Sequence, residues 1–297
     1  MDSSSLFGNS RRKVYQSKLQ VELLEARNLL AGVTARHVFY NDSSFDGQDM
    51  LASPQDDGAI APDKVALLPG ETATFANYTG YSRGLNGIMV DIEGVADPLA
   101  LSATDFEFRV GNSDAVDAWM DAPAPQNITT RVGEGVGGSD RVTVIWNDND
   151  IQKQWLEVRV LPTVNTGLSQ VDVHYWGNAV GEVGDSTTNA YVNATDIVLT
   201  RDNPHNFLLR AAIDDAYDHN RDTLVNATDI VIVRDNPTNF LNGLRLISPP
   251  ELPKQPNIIL INTDDQRADT LQYMPTTTQW LVEQGTVFEN AFVDYSP

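Results

Sequence analysis

The chain has 297 residues, 41% of them apolar, with a formal net charge of −21 and a sequence pI near 4.3. That composition excludes wholesale disorder and leaves room for two or three domains with cores of their own. The acid excess excludes nucleic acid and anionic membranes as partners, because phosphate binding needs clustered Lys and Arg; it suits cation binding or a saline exterior. There is no cysteine, so disulfides, thiolate nucleophiles and thiolate metal sites are excluded. No apolar run approaches the roughly 18 residues of a spanning helix, so no transmembrane segment is expected.

Residues 1–35 read as a targeting segment. Arg11, Arg12 and Lys13 are not followed by a continuous apolar stretch, which makes an ordinary signal peptide a poor fit. "VELLEARNLLA", Val21 to Ala31, can form a short amphipathic helix with Leu23, Leu24 and Leu30 on one side. It also resembles the Leu-Glu-x-Arg-x-Leu-Leu segment near the N-termini of large exported bacterial proteins, with Ala26 where those usually carry proline. The resemblance implies an extracellular or cell-surface protein.

Residues 36–165 have period two. "DFEFRV" places Phe106, Phe108 and Val110 on one face, and "WLEVRV" does the same with Leu156, Val158 and Val160. "GIMVDI", "RVTVIW" and "VDVHYW" are further short strands, with Gly, Pro, Asn and Asp clustered between them. This predicts a β-sandwich. Trp119, Trp146, Trp155, Tyr78 and Tyr81 can serve either as a sugar-stacking platform or as core.

Residues 170–247 repeat themselves. "VNATDIVLTRDNPHNFL" starts at Val192 and "VNATDIVIVRDNPTNFL" at Val225, a period of 225 − 192 = 33 residues. Upstream of the second copy, "DHNRDTLVNATD" places oxygen side chains at loop positions one, three, five, nine and twelve: Asp218, Asn220, Asp222, Asn226 and Asp229. With the Leu224 carbonyl at the seventh position, this is the spacing that wraps a calcium ion. Thr223 stands where such loops carry glycine and must take a tight, left-handed turn, costly for a β-branched residue. The first copy, "DSTTNAYVNATD", keeps Asp185, Asn189, Asn193 and Asp196 but has Thr187 at the third position and Ala190 at the sixth. Fewer carboxylates predict a weaker site. Asn193 and Asn226 can also act simply as helix caps, with Asp196 and Asp229 three residues on, but capping leaves Asp218, Asn220 and Asp222 unexplained. The pair resembles a dockerin-type module, a small α domain of two calcium loops. That resemblance implies attachment to a cohesin-like protein partner.

"ISPPELPKQP" is proline-rich, and residues 248–256 read as a semi-rigid linker. In residues 257–297, "NIILIN" is a continuous apolar run of the kind buried in a parallel sheet. "MPTTTQWLVEQG" reads as a helix with Trp280, Leu281 and Met274 on its buried face and Gly285 as its stop, and "TVFENAFV" returns to strand. Asp264 and Asp265 then lie at the carboxyl edge of the sheet, where two adjacent carboxylates repel unless a cation or protons intervene. Thr263 or Asp264 can alternatively cap the helix, and paired acids at a strand end also occur in response-regulator receivers. The whole stretch "PNIILINTDDQRADTLQYMPTTTQWLVEQGTVFENAFV" resembles the N-terminus of the sulfatase family, closest to its arylsulfatase and glucosamine-6-sulfatase-like branch.

That resemblance implies an alkaline-phosphatase-like α/β domain and a calcium ion held partly by Asp264 and Asp265. It also implies a sulfated carbohydrate or aryl sulfate as substrate, and a formylglycine nucleophile made from Cys or Ser in the pattern [Cys/Ser]-x-Pro-x-Arg. No proline here is followed two residues later by arginine; in the family the pattern comes shortly after the Asn-Ala-Phe stretch, so it is expected beyond Pro297. The expectation is therefore multi-domain: β-sandwich, small α calcium-loop module, then the start of an α/β sulfatase domain. The chain would be the N-terminal portion of an exported sulfatase, inactive alone. The rival, from another class, is a non-catalytic extracellular attachment protein with an eroded sulfatase remnant.

Overall fold

Strict alternation in the sequence decides which strands form and which way they face. The computed structural model describes residues 31–253, 273–277 and 279. The chain divides into two compact units, Met1–Leu252 and Pro253–Pro297. In the first, nine strands follow one another: β1 (Gly32–Val38), β2 (Tyr78–Thr79), β3 (Gly87–Glu93), β4 (Phe106–Gly111), β5 (Met120–Asp121), β6 (Asn127–Arg131), β7 (Asp140–Ile145), β8 (Trp155–Val160) and β9 (Asp172–Asn178). They form a four-stranded sheet in the order β1-β3-β7-β6 and a five-stranded sheet in the order β2-β9-β8-β4-β5. Pairing is antiparallel throughout, except for β2 on β9.

The two sheets bury one core between them. Phe106 and Val110 of β4, Leu156, Val158 and Val160 of β8, and Trp176 of β9 pack with Ile88, Val90 and Ile92 of β3 and Val142 and Val144 of β7. Each such side chain stabilises the fold by roughly 1.5–3 kcal/mol when fully buried. Because successive side chains alternate across a strand, Trp155 points away from that core while Leu156 points into it. With Tyr78, Val173 and Tyr175, Trp155 makes a second apolar layer on the other face of the five-stranded sheet, closed by Leu67, Ala190, Leu244 and Ile247. The sugar-stacking platform is thereby ruled out: Trp119, Trp146, Trp155, Tyr78 and Tyr81 are all buried. The indole N–H of Trp146 donates to the Pro123 carbonyl at 2.9 Å, and that of Trp155 to the Arg245 carbonyl at 2.8 Å.

The expected fold class needs correction. The described residues are mostly β-sheet, with three short helices: α1 (Ala194–Asp202), α2 (Ala227–Asp235) and, in the second unit, the single turn α3 (Pro275–Thr277). Among the described residues there is no separate helical calcium-loop module and no alkaline-phosphatase-like α/β arrangement. The physical reason lies in the lengths and in the second apolar layer. Two nine-residue helices cannot enclose a core of their own, and the outer face of the five-stranded sheet has to be covered by something.

The repeats and the segment after them are fastened to that sheet accordingly. Ala179 N–H donates to the Thr79 carbonyl and Gly181 N–H to that of Gly80, at 2.9 and 3.1 Å. Gly70 and Ala73 N–H donate to the carbonyls of Pro249 and Ile247, at 2.8 and 2.9 Å. Ser248, at the head of the expected linker, donates its N–H to Asp114 at 2.7 Å. The export segment within 1–30 and the strand carrying Asp264 and Asp265 lie outside the described residues. Of the helix expected from Met274, only α3 is described.

Candidate metal centre

The two repeats are related by a reciprocal exchange. Val225, eighth in its loop, trades hydrogen bonds with His205 after α1, both at 3.1 Å. Val192, eighth in the other loop, likewise meets Thr238 after α2, donating its N–H to the hydroxyl and accepting from the Thr238 N–H, both at 2.8 Å. The spacing is the same 33 residues (225 − 192 and 238 − 205), so each loop is held by the segment that follows the other helix. α1 and α2 pack against each other.

In the second loop the backbone is drawn around its first residue. Asp218 is buried and its carboxylate accepts the N–H of Asp222 at 3.2 Å and of Thr223 at 2.8 Å. Thr223 has φ 73°, the left-handed turn that its position demands. Asp222 accepts from Leu224 N–H at 2.8 Å and from the Asn220 amide at 2.9 Å. Asn226 caps α2, and buried Asp229 accepts from Asn226 and His219 N–H at 3.0 and 2.9 Å. Burial raises the Asp218 carboxyl to about 7; the Arg221 guanidinium opposes this, while Asp229 and Asp222 add to it. Burial raises Asp229 as well. Arg221 leaves the loop for the sandwich, lying 4.2 Å over the Tyr40 ring and donating to its hydroxyl at 2.9 Å.

The first loop is built differently. Asp185 is exposed, Ala190 does not take a left-handed turn, and Asn189 and Asn193 accept only from their own loop and helix, Tyr191 N–H at 3.2 Å and Thr195 N–H at 2.8 Å. Asp196 is buried and accepts from Val183 and Asn193 N–H at 3.2 and 2.8 Å. Capping accounts for Asn193, Asp196, Asn226 and Asp229 in both helices, and for nothing else in the loops.

A carboxylate that the loop spacing did not flag completes the first site. Glu182, Asp185 and Asp196 bring oxygens within 4.8 Å of one another. Glu182 is wholly buried; its Oε2 accepts from Gly184 N–H at 3.0 Å, while Oε1 has no hydrogen-bond partner among the described residues. Burial raises Glu182 to about 7, with Asp196 and Asp185 adding to the effect and the neighbouring Tyr78 hydroxyl opposing it. The signal for it was present in the sequence, since an acid stands at the same offset in both copies, Glu182 and Asp215 (182 + 33). Asp215, however, faces His205 at 3.2 Å and accepts Tyr217 N–H at 2.8 Å.

Both donor sets are all oxygen, suited to a hard divalent ion. Among the described residues only Glu182, Asp185 and Asp196 bring three carboxylates within reach of a single ion; Asp218, Asp222 and Asp229 do not. Comparison with known protein families, with curated proteins and with solved structures finds no match.

Proposed function

We propose that this chain carries the calcium-stabilised, non-catalytic front part of an exported sulfatase, an enzyme hydrolysing sulfate esters of sugars or aryl alcohols. The observation that carries the calcium part is the cluster of Glu182, Asp185 and Asp196, whose oxygens lie within 4.8 Å of one another. The hydrolase part rests on the sulfatase-like stretch from Pro256, with Asp264 and Asp265 as ligands of the catalytic ion. That ion would neutralise charge growing on the sulfate oxygens. Two carboxylates cannot fill the six to eight oxygen positions calcium prefers, and the 297 residues hold no [Cys/Ser]-x-Pro-x-Arg. Purified alone, the 297-residue chain should hydrolyse no aryl sulfate above a calcium-only control. Turnover by this chain would sink the proposal.

One feature favours attachment as a second role. Each helix is followed by an Asn-Phe-Leu tip whose apolar residues face solvent, Phe207 and Leu208 after α1 and Phe240 and Leu241 after α2, all at least 74% exposed. A paired apolar surface of this kind suits a protein partner of the cohesin-like sort. On this role alone, the chain would be a calcium-dependent attachment protein.

A further inference from the structure

The sequence pattern assigns the first ion to Asp185, Asn189, Asn193 and Asp196. We infer that Glu182, three residues before that loop begins, is a direct ligand of the ion, so that the first site is a three-carboxylate centre for a divalent cation built half inside and half outside the repeat. The inference rests on the calcium reading above and changes its chemistry.

Three observations carry it. The oxygens of Glu182, Asp185 and Asp196 already lie within 4.8 Å of one another, close enough to share one ion. Glu182 Oε1 is buried with no well-formed hydrogen bond among the described residues, although the Tyr78 hydroxyl lies beside it, and a charged oxygen so placed in the interior is costly unless something binds it. The chain around Glu182 is also held where it is: Gly181 and Gly184 take φ of 86° and 81° on either side, and Gly181 N–H is bonded to Gly80. Glu182 thus makes up for Thr187, the neutral residue at the third loop position. Its own carbonyl lies only 2.5 Å from where a Cβ on Gly80 would stand. An ion on Glu182 and Asp196 therefore joins the edge of the five-stranded sheet to the N-terminus of α1.

The test is calorimetric titration of the full chain with calcium chloride, with terbium luminescence as a second probe. Tyr78, beside Glu182, would sensitise terbium in the first site. Wild type should bind two ions. Glu182→Gln, which keeps shape and removes charge, should weaken one of them roughly tenfold or more and lose the tyrosine-sensitised signal. It should leave the calcium-free protein as stable as wild type or more so, which a merely structural glutamate would not do. Asp185→Asn, at an exposed position where folding is not at risk, should weaken the same ion, and Asp218→Ala the other. Two ions bound to Glu182→Gln with unchanged affinity would overturn the inference while leaving the calcium reading intact, as would Asp185→Asn and Glu182→Gln acting on different ions. No calcium bound to wild type would overturn both.

Discussion

The two loops solve one problem with opposite parts. The second obeys the loop pattern: a buried first residue, backbone N–H groups folded onto it, and a left-handed sixth residue, Thr223. The first departs from it at each of those points, with Asp185 exposed and Ala190 packed into the layer under the sheet, and takes a carboxylate from outside instead. Self-similarity in sequence preserved the helix, the cap and the cross-bond between repeats, and did not preserve the ligand scheme. The acid at the shared offset stands in a carboxylate cluster in one copy and is paired with a histidine in the other.

The largest effect should come from pH in the absence of calcium. Glu182 and Asp218 both stand near 7 when folded, against ordinary carboxyl values near 4. A carboxyl raised on folding supports the fold only while protonated. That support is complete below about pH 4 and disappears as pH rises to about 7, on the order of 3 kcal/mol for each group. Asp172 works the other way. Burial alone would raise it, but His174 and Arg36 hold it near 2, so its contribution is lost as pH falls from about 4 towards 2. In EDTA, thermal stability should therefore peak near pH 4–5 and fall towards pH 8, and saturating calcium should abolish the fall. A flat EDTA profile between pH 5 and 8 would mean that neither loop carries stressed carboxylates.

Next in size is the double substitution Asp218→Ala with Asp222→Ala. It should remove one calcium equivalent and the stabilisation that ion confers, about 2.7 kcal/mol at a hundredfold excess over Kd. The other equivalent should be untouched, as read by calorimetry and by the calcium-induced change in Tm. Equal loss at both sites would mean the loops do not bind independently.

The smallest effects separate the loops by sign. Glycine at the sixth position should stabilise the second loop, because Thr223→Gly relieves a left-handed β-branched residue, by about 0.5–1 kcal/mol. Ala190→Gly at the matching position should destabilise by about 1 kcal/mol or more, since Ala190 is fully buried and needs no such turn. Denaturant melts of the two variants check this directly.

Much of the sandwich was legible because alternation is a local signal. Phe106, Val110, Leu156, Val158 and Val160 point where period two puts them. The repeat was legible because it is written twice. Neither signal says what lies across space. Trp155 and Tyr175 fall on the face opposite to Leu156 and Trp176, so "WLEVRV" and "VDVHYW" have apolar residues on both faces, a hint that the sheet would be covered twice. The cover comes from Ala190, Leu244 and Ile247, in segments that looked like a separate domain. Glu182 was missed for a related reason. Ligand spacing is counted inside a loop, whereas this oxygen comes from the strand-to-loop connection before it.

The hydrogen bonds of Gly70 and Ala73 to Pro249 and Ile247 also govern how the molecule comes into being. They join residues about 175 positions apart, and the β2–β9 pairing joins residues about 100 apart. Contacts so distant along the chain close slowly, because the loop entropy must be overcome before they reward it. On the ribosome, strands β1 to β8 emerge long before their cover does, and the Trp155 face stays wet until residue 249 has been made. Until then the growing chain carries an uncovered apolar sheet face, which is the interval in which it is most prone to aggregate.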